Sequence, residues 1–250
     1  MVAIQTILVT GAAGSLGRLV VLELAGRGNR VRALDLPQCD FGALERVPGV
    51  EIVKGSIEDR ELLRRATEGV DLAIHLAALL PPDSEQDRET TMAVNVRGTK
   101  NVVAALSEVS PAARLVLSSS VCVYGDTSSA AEPIASTRAP RPLDIYGHSK
   151  AEAERVLREG GLAYTILRIS GISVPAFLAP PDVWPFMADQ RIEFICRDDV
   201  VAALVGCAER PAVAGKVLNI AGGASWRMRG GSPRSAWGRG RASHSTCRCL

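Results

Sequence analysis

The string Thr10-Gly11-Ala12-Ala13-Gly14-Ser15-Leu16-Gly17, set directly after Ile7-Leu8-Val9, limits the fold of this chain more than any other feature. A short apolar run bounded by glycine reads as a buried strand, and apolar positions 16, 19, 20, 22 and 24 then read as a helix. A strand, a glycine loop and a helix in that order make a phosphate cradle. Gly11 permits the sharp exit from the strand, Gly14 leaves room for a pyrophosphate against bare backbone, and Gly17 lets the helix pack closely on the sheet. The helix start offers unpaired N–H groups and a partial positive charge. The spacing is G-x-x-G-x-x-G and not G-x-G-x-x-G. Gly11, Ala13, Gly14, Ser15, Leu16 and Gly17 are the candidate cofactor contacts in this loop.

The rest of the body alternates. Strand patterns fall at 6–10, 31–35, 51–54, 72–76, 114–118, 164–168 and 217–220, and helical patterns at 16–27, 59–68, 89–107 and 149–159. Such alternation predicts an α/β fold, a Rossmann-type doubly wound parallel sheet, here with a small, reduced C-terminal substrate lobe. We draw the boundaries at 1–170 for the dinucleotide-binding domain, 171–225 for the substrate segment and 226–250 for a basic tail. Ligands in such sheets bind beyond the carboxyl ends of the strands. Asp35 ends the second strand, where a carboxylate accepts from adenine-ribose hydroxyls and repels a 2′-phosphate. NAD is therefore the expected cofactor, with Arg18 and Arg32 leaving NADP as the lesser alternative. Ser56 and Ile57 are placed to contact adenine, and Leu76-Ala77-Ala78 to let the cofactor pass close to backbone.

The reactive candidate is Tyr146-Gly147-His148-Ser149-Lys150, a Tyr and a Lys four apart. Free tyrosine titrates near 10, and an ammonium one turn away favours the phenolate. Tyr146 then exchanges a proton with an alcohol or carbonyl while hydride moves to or from nicotinamide. Ser118-Ser119-Ser120 lies between the two motifs, and Ser120 is placed to hold the same substrate oxygen.

These strings, with Ile74-His75-Leu76-Ala77-Ala78, Asn95-Val96-Arg97-Gly98-Thr99 and Ser118-Ser119-Ser120-Val121-Cys122-Val123-Tyr124-Gly125, resemble an extended short-chain dehydrogenase/reductase of the NAD-dependent epimerase/dehydratase family. The resemblance covers residues 1 to about 170. It implies Tyr146 as acid/base, and Lys150 as its pKa tuner and a nicotinamide-ribose ligand. It implies Ser120, or else Ser119, as the substrate-oxygen partner, and Asn95 as support for the lysine through water. It also implies a homodimer built on the helices near 89–107 and 146–159. Dehydratases of the family carry Asp-Glu after the serine where this chain has Val121-Cys122, which disfavours that outcome. Arg197-Asp198-Asp199-Val200-Val201 resembles a family element in which an aspartate caps a helix, so Asp198 and Asp199 are read as structural.

Composition narrows the remaining classes. No apolar run approaches the ~18–20 residues of a membrane helix, and the chain begins almost at once with a strand, so a cytoplasmic protein without a signal peptide is expected. The six cysteines outline neither a disulfide framework nor a metal site, and the three histidines lack ligand partners at useful spacing. Glu152 and Glu154 read as solvated charges on the last of the helices above. From 226 onward there are six arginines and no acidic residue, against a net charge of +2 for the whole chain. This tail lacks the aromatic–basic alternation of a nucleic-acid binder and reads as a disordered or altered end. Phe177, Trp184 and Phe186 are candidate walls of a small pocket. The expected activity is NAD-dependent oxidation or epimerisation at a hydroxyl of a small molecule, a nucleotide sugar being one candidate. A non-catalytic NAD(P)-binding sensor is the alternative, although such a protein would have no use for the Tyr/Lys pair.

Overall fold

The computed structural model describes residues 4–130, 133–173, 191–222 and 225–227. The elements run β1 (Thr6–Thr10), α1 (Ser15–Gly26), β2 (Arg30–Asp35), β3 (Val50–Lys54), α2 (Arg60–Ala66), β4 (Leu72–His75), α3 (Arg88–Met92), α4 (Gly98–Val109), β5 (Arg114–Ser120), α5 (Ile145–Glu159), β6 (Ala163–Ile169), β7 (Gly171–Ser173), β8 (Arg191–Cys196), α6 (Arg197–Glu209), β9 (Lys216–Ile220) and β10 (Ser225–Arg227). Seven strands form one parallel sheet in the order β3-β2-β1-β4-β5-β6-β9. The order reverses between β1 and β4, so a crevice opens at their carboxyl ends. A second sheet of three short strands runs β10-β8-β7.

Strand alternation sends side chains to two cores. Ile7, Val9, Ala33, Ile74, Val116 and Leu167 pack beneath α1 and α6, against Val20, Leu24, Val200 and Leu204. Leu8, Leu34, Ala73, Leu115, Leu117 and Ile166 face the opposite layer, against Leu63, Val102, Leu106, Ala153 and Leu157 of α2, α4 and α5. The helix expected at 59–68 is capped by Asp59, which accepts from Leu62 N–H at 3.0 Å.

Several expectations needed adjusting. The helix expected at 89–107 is interrupted by a π-helical turn, Ala93–Arg97, between α3 and α4. The helix that carries Tyr146 and Lys150 begins at Ile145 and not at 149, because Asp144 caps it, accepting from Gly147 N–H at 2.5 Å. The boundary drawn at 170 does not end the Rossmann sheet: β9 completes it beside β6, and α6 is its crossover helix on the α1 side. Asp198 and Asp199 sit inside the first turn of α6, whose cap, Cys196, makes no side-chain bond to the helix. They therefore complement the helix dipole without capping it. The segment 225–227, where the basic tail was expected to begin, pairs antiparallel with β8. Cys39, Cys122 and Cys207 are free thiols, whereas Cys196 is disulfide-bonded, which the scattered spacing did not suggest. Phe177, Trp184 and Phe186 lie outside the described residues. Among the described residues no helix is long and apolar enough to cross a membrane.

Candidate active site

The glycine loop closes on itself. Gly11 has φ +70°, and a Cβ there would stand 2.7 Å from Ala77 N, so β1 and β4 meet backbone to backbone at the crevice. A Cβ on Gly17 would overlap the Gly11 carbonyl oxygen and stand 2.9 Å from Ala12 Cα. The third glycine thus lets the start of α1 close directly on the loop that leaves β1. Gly14 is the N-cap of α1 and brings no capping side chain, and no acidic residue occupies the first turn. α2, α3 and α5 are all capped by aspartates. The start of α1, with neither a capping side chain nor a first-turn acid, is suited to an anion.

Asp35 stands at this loop. Its Oδ2 accepts from Ala13 N–H at 2.9 Å and its Oδ1 from Leu36 N–H at 2.8 Å. Ala12 N–H is held by Leu34 O at 3.2 Å. Arg32 is committed elsewhere: it donates to the carbonyls of Ala66 at 3.0 Å and Glu68 at 2.5 Å, closing the end of α2, and to Glu51 at 3.1 Å. It cannot serve a 2′-phosphate without leaving those partners. Ser56 Oγ accepts from Glu58 N–H at 3.1 Å and opens the turn before α2. Ile57 is buried, and its Cδ1 occupies the space that a side chain at Gly98 would need, so its role is packing as much as lining. Leu76, Ala77 and Ala78 are half-buried, with Leu76 N–H on Thr10 O at 3.1 Å and Ala77 N–H on Thr10 Oγ1 at 3.3 Å.

Across the crevice, α5 carries Tyr146 and Lys150 on one face. Lys150 is 4% exposed; its Nζ donates to Ser118 O at 2.9 Å and lies 5.6 Å from the centre of the Tyr146 ring. Burial lowers its pKa from 10.5 to about 8, although Glu154 works in the other direction. Tyr146 is 9% exposed. Burial raises the phenol above its ordinary value, helped by Cys122 and Asp144. This reverses the expected direction. The ammonium lies over the ring and not at the oxygen, so the lost hydration of a phenolate outweighs the cation.

The three serines have three different jobs. Ser118 supplies the carbonyl that holds Lys150. Ser119 is buried and donates to Glu154 Oε1 at 2.6 Å, so it is not free to serve as the alternative substrate partner. Ser120 accepts from Cys122 N–H at 3.2 Å, and its hydroxyl also reaches the Cys122 thiol. Asn95 lies in the π turn. Its amide accepts from Leu79 N–H at 2.7 Å and donates to Leu79 O at 3.0 Å and Ser149 Oγ at 2.9 Å. It therefore reaches α5 through Ser149 and makes no direct bond to Lys150.

The model of the NAD dependent epimerase/dehydratase family matches residues 7–177. The chain belongs to this family. Sterol demethylase protein B of Methylococcus capsulatus is 35% identical over 192 residues, covering 75% of this chain and 56% of the relative. A 3 beta-hydroxysteroid dehydrogenase/Delta 5→4-isomerase of Mycobacterium tuberculosis is 31% identical over 162 residues, covering 62% and 43%. The chain thus spans about half the length of the curated relatives it matches. Among solved structures, MoeE5 in complex with UDP-glucose and NAD superposes with a TM-score of 0.77 at 26% identity, over 89% of this chain and 78% of that one. The UDP-glucose 4-epimerase of Thermotoga maritima, solved with UDP-glucose, gives the same figures.

Two parts of this family member's site escaped the sequence reading. Glu154, expected to be solvated, is fully buried. Its Oε1 accepts from Ser119 and from Arg168 Nε at 2.9 Å, and its Oε2 from Arg168 Nη2 at 2.7 Å and Arg158 Nη2 at 2.8 Å. Arg168, 1% exposed, also donates to Tyr124 OH at 2.9 Å, and Tyr124 donates to Asn219 Oδ1 at 2.6 Å. This network ties β5, α5, β6 and β9 behind the site. The signal was available in the helix period: position 154 follows 146 and 150 on the same inward stripe. The other part is Glu85, from a 3₁₀ turn Asp83–Glu85, whose carboxylate accepts from Ile145 N–H at 3.0 Å and Tyr146 N–H at 2.9 Å. No local pattern announces a contact across 61 positions.

Proposed function

We propose that this chain is a cytoplasmic NAD-dependent oxidoreductase or epimerase that oxidises a hydroxyl of a small molecule, with Tyr146 as acid/base, Ser120 as the substrate-oxygen partner and Lys150 as the local positive charge. One observation carries the reading. The Tyr146 side chain, the Ser120 hydroxyl and the buried Lys150 belong to neighbouring elements at the carboxyl end of the sheet, across the crevice from a helix start with no capping side chain. That helix start, with Gly11, Gly14, Ser15, Leu16 and Gly17 around it, suits a pyrophosphate. Asp35, with Arg32 engaged elsewhere, suits NAD over NADP. The bound nicotinamide supplies the hydride acceptor. Ser120 then holds the substrate oxygen by a hydrogen bond. Tyr146 accepts the hydroxyl proton in oxidation and returns one to the carbonyl in reduction. A phenol whose pKa is raised by burial is protonated at neutral pH, so the resting site is set for donation. Oxidation requires positive charge beside the phenol, which Lys150 supplies in part.

The relatives point to two substrate classes. Exposed Leu80 and Leu143 stand on the loops leading from β4 and into α5, which favours an apolar alcohol, as the names of the sequence relatives suggest, over a nucleotide sugar. A homodimer through α4 and α5 is the assembly we propose, following the family pattern.

The test follows absorbance at 340 nm with NAD and with NADP, against 3β-hydroxysteroids, simple secondary alcohols and UDP-glucose. Tyr146→Phe should bind NAD as wild type does and lose at least ~10²-fold in turnover. Equal turnover in the two proteins removes Tyr146 from the mechanism, and tighter binding of NADP than of NAD removes the role given to Asp35.

A further inference from the structure

We propose that Glu85 is a positioning residue that sets Tyr146 relative to the cofactor crevice by tying the first turn of α5 to the segment leaving β4, an inference that rests on the catalytic reading of Tyr146 above.

Helix α5 does not need Glu85 as a cap. Asp144 already accepts from Gly147 N–H through its side chain, and its carbonyl accepts from His148 N–H at 3.0 Å. α2 and α3 each manage with a single aspartate. Among the described residues, α5 alone adds a second carboxylate, from 60 and 61 positions away, on the N–H groups of Ile145 and Tyr146. The donors of the first turn that lack an intrahelical partner, on Ile145, Tyr146 and Gly147, are then satisfied.

The second tether explains the first. Tyr146 is gripped at both ends of its backbone. Its N–H is held by Glu85, and its carbonyl accepts from Ser149 Oγ at 2.7 Å. Ser149 in turn accepts from Asn95, whose amide also holds both backbone groups of Leu79. The chain from Leu79 to Glu85 is therefore pinned to α5 at each end. It is braced within by Ser84 N–H on Leu80 O at 3.0 Å, and behind by Thr91 Oγ1 on Ser84 O at 2.8 Å. Ser84 Oγ donates to Glu85 Oε1 at 3.1 Å and orients the carboxylate. This segment leaves β4 next to Leu76 and Ala77, which touch the glycine loop. The tyrosine is thus located against the same strand end that bounds the dinucleotide crevice, and not only through its own helix. Displacement of a reacting group by about 1 Å costs roughly a hundredfold in rate, so such a tether has a use beyond folding.

The test is a phenol titration by ¹³Cζ-tyrosine NMR of the full chain, with and without saturating NAD⁺. The chain has three tyrosines, and Tyr146→Phe assigns the resonance. Lys150, Cys122, Asp144 and Ser120 face the phenol or its helix end in every variant. In wild type NAD⁺ should lower the Tyr146 pKa by about one pH unit or more, because a cationic ring beside the phenol favours phenolate. Glu85→Gln keeps the shape but offers one oxygen and one NH₂ to two N–H donors, so one bond is lost. The NAD⁺-dependent drop should then shrink to less than about half, while affinity for NAD⁺ stays within about twofold, since the glycine loop is untouched. Glu85→Asp, which keeps the charge but falls one methylene short, should behave the same way and replaces Glu85→Gln should the latter fail to fold. An equal drop in wild type and variant overturns the positioning role. No drop in wild type overturns the placement of Tyr146 beside the nicotinamide, and this inference with it.

Discussion

Replacing Lys150 with methionine should stabilise the protein while abolishing its turnover. The ammonium is 4% exposed, and burial lowers its pKa from 10.5 to about 8. Holding that charge in the fold at pH 7 therefore costs about 3 kcal/mol, at ~1.36 kcal/mol per pH unit. Methionine fills a similar volume without the charge. It leaves Ser118 O without its 2.9 Å donor, a loss of about 1 kcal/mol. The net gain is about 2 kcal/mol, or roughly 4–8 °C in Tm for a chain of this size. The pH dependence separates this cause from others. Below pH 8 the lysine is charged in folded and unfolded chains alike, and the fold bears the whole cost. Between 8 and 10.5 the folded chain releases its proton first, so wild-type stability rises with pH. Above 10.5 both states are neutral and the cost is gone. The methionine variant lacks this rise, so its advantage is greatest at pH 7 and closes by about pH 10.5. Urea unfolding at pH 7, 9 and 10.5, without cofactor, measures the gap. A variant less stable than wild type at pH 7, by an amount that does not change with pH, would refute the reasoning. The same experiment asks whether the site holds its charge at the expense of the fold, as a group retained for chemistry would.

Two further outcomes follow from the geometry. Gly17→Ala should weaken NAD binding by more than ~100-fold in calorimetry, because the methyl forces the loop off Gly11 O and Ala12, whereas Gly26→Ala in the same helix, with nothing within 4 Å, should leave it unchanged. Ser119→Ala should cost about 1–3 kcal/mol of stability by stripping a buried donor from Glu154, with activity per folded molecule kept, while Ser120→Ala should cost ~10²-fold in turnover and little stability; the reverse pattern would exchange the two assignments.

Much of the site was legible in the linear order of residues. The loop at 11–17, Asp35 at a strand end and the Tyr/Lys pair all depend on spacing along one element, where a turn or a helical period decides what neighbours what. Alternation on β5 also separates the serines, since Leu115, Leu117 and Ser119 share the face that meets α5 and Ser120 does not. The boundary at 170 was misplaced because β9 joins the sheet only through pairing with β6, a partner 51 positions away at Thr165 and Lys216.

What the amino-acid order determined by itself is the α/β plan and the candidates proposed for the chemistry, because hydrophobic period and turn residues act over a few positions. What only the packed chain decided is their electrostatic state and their anchoring. Burial raises the phenol where spacing suggested the lysine would lower it. Arg32 is withdrawn onto α2, Glu154 is drawn into a buried network, and Glu85 crosses to the start of α5. Each of these depends on how much water is lost and which distant backbone arrives, and neither quantity is written in local sequence.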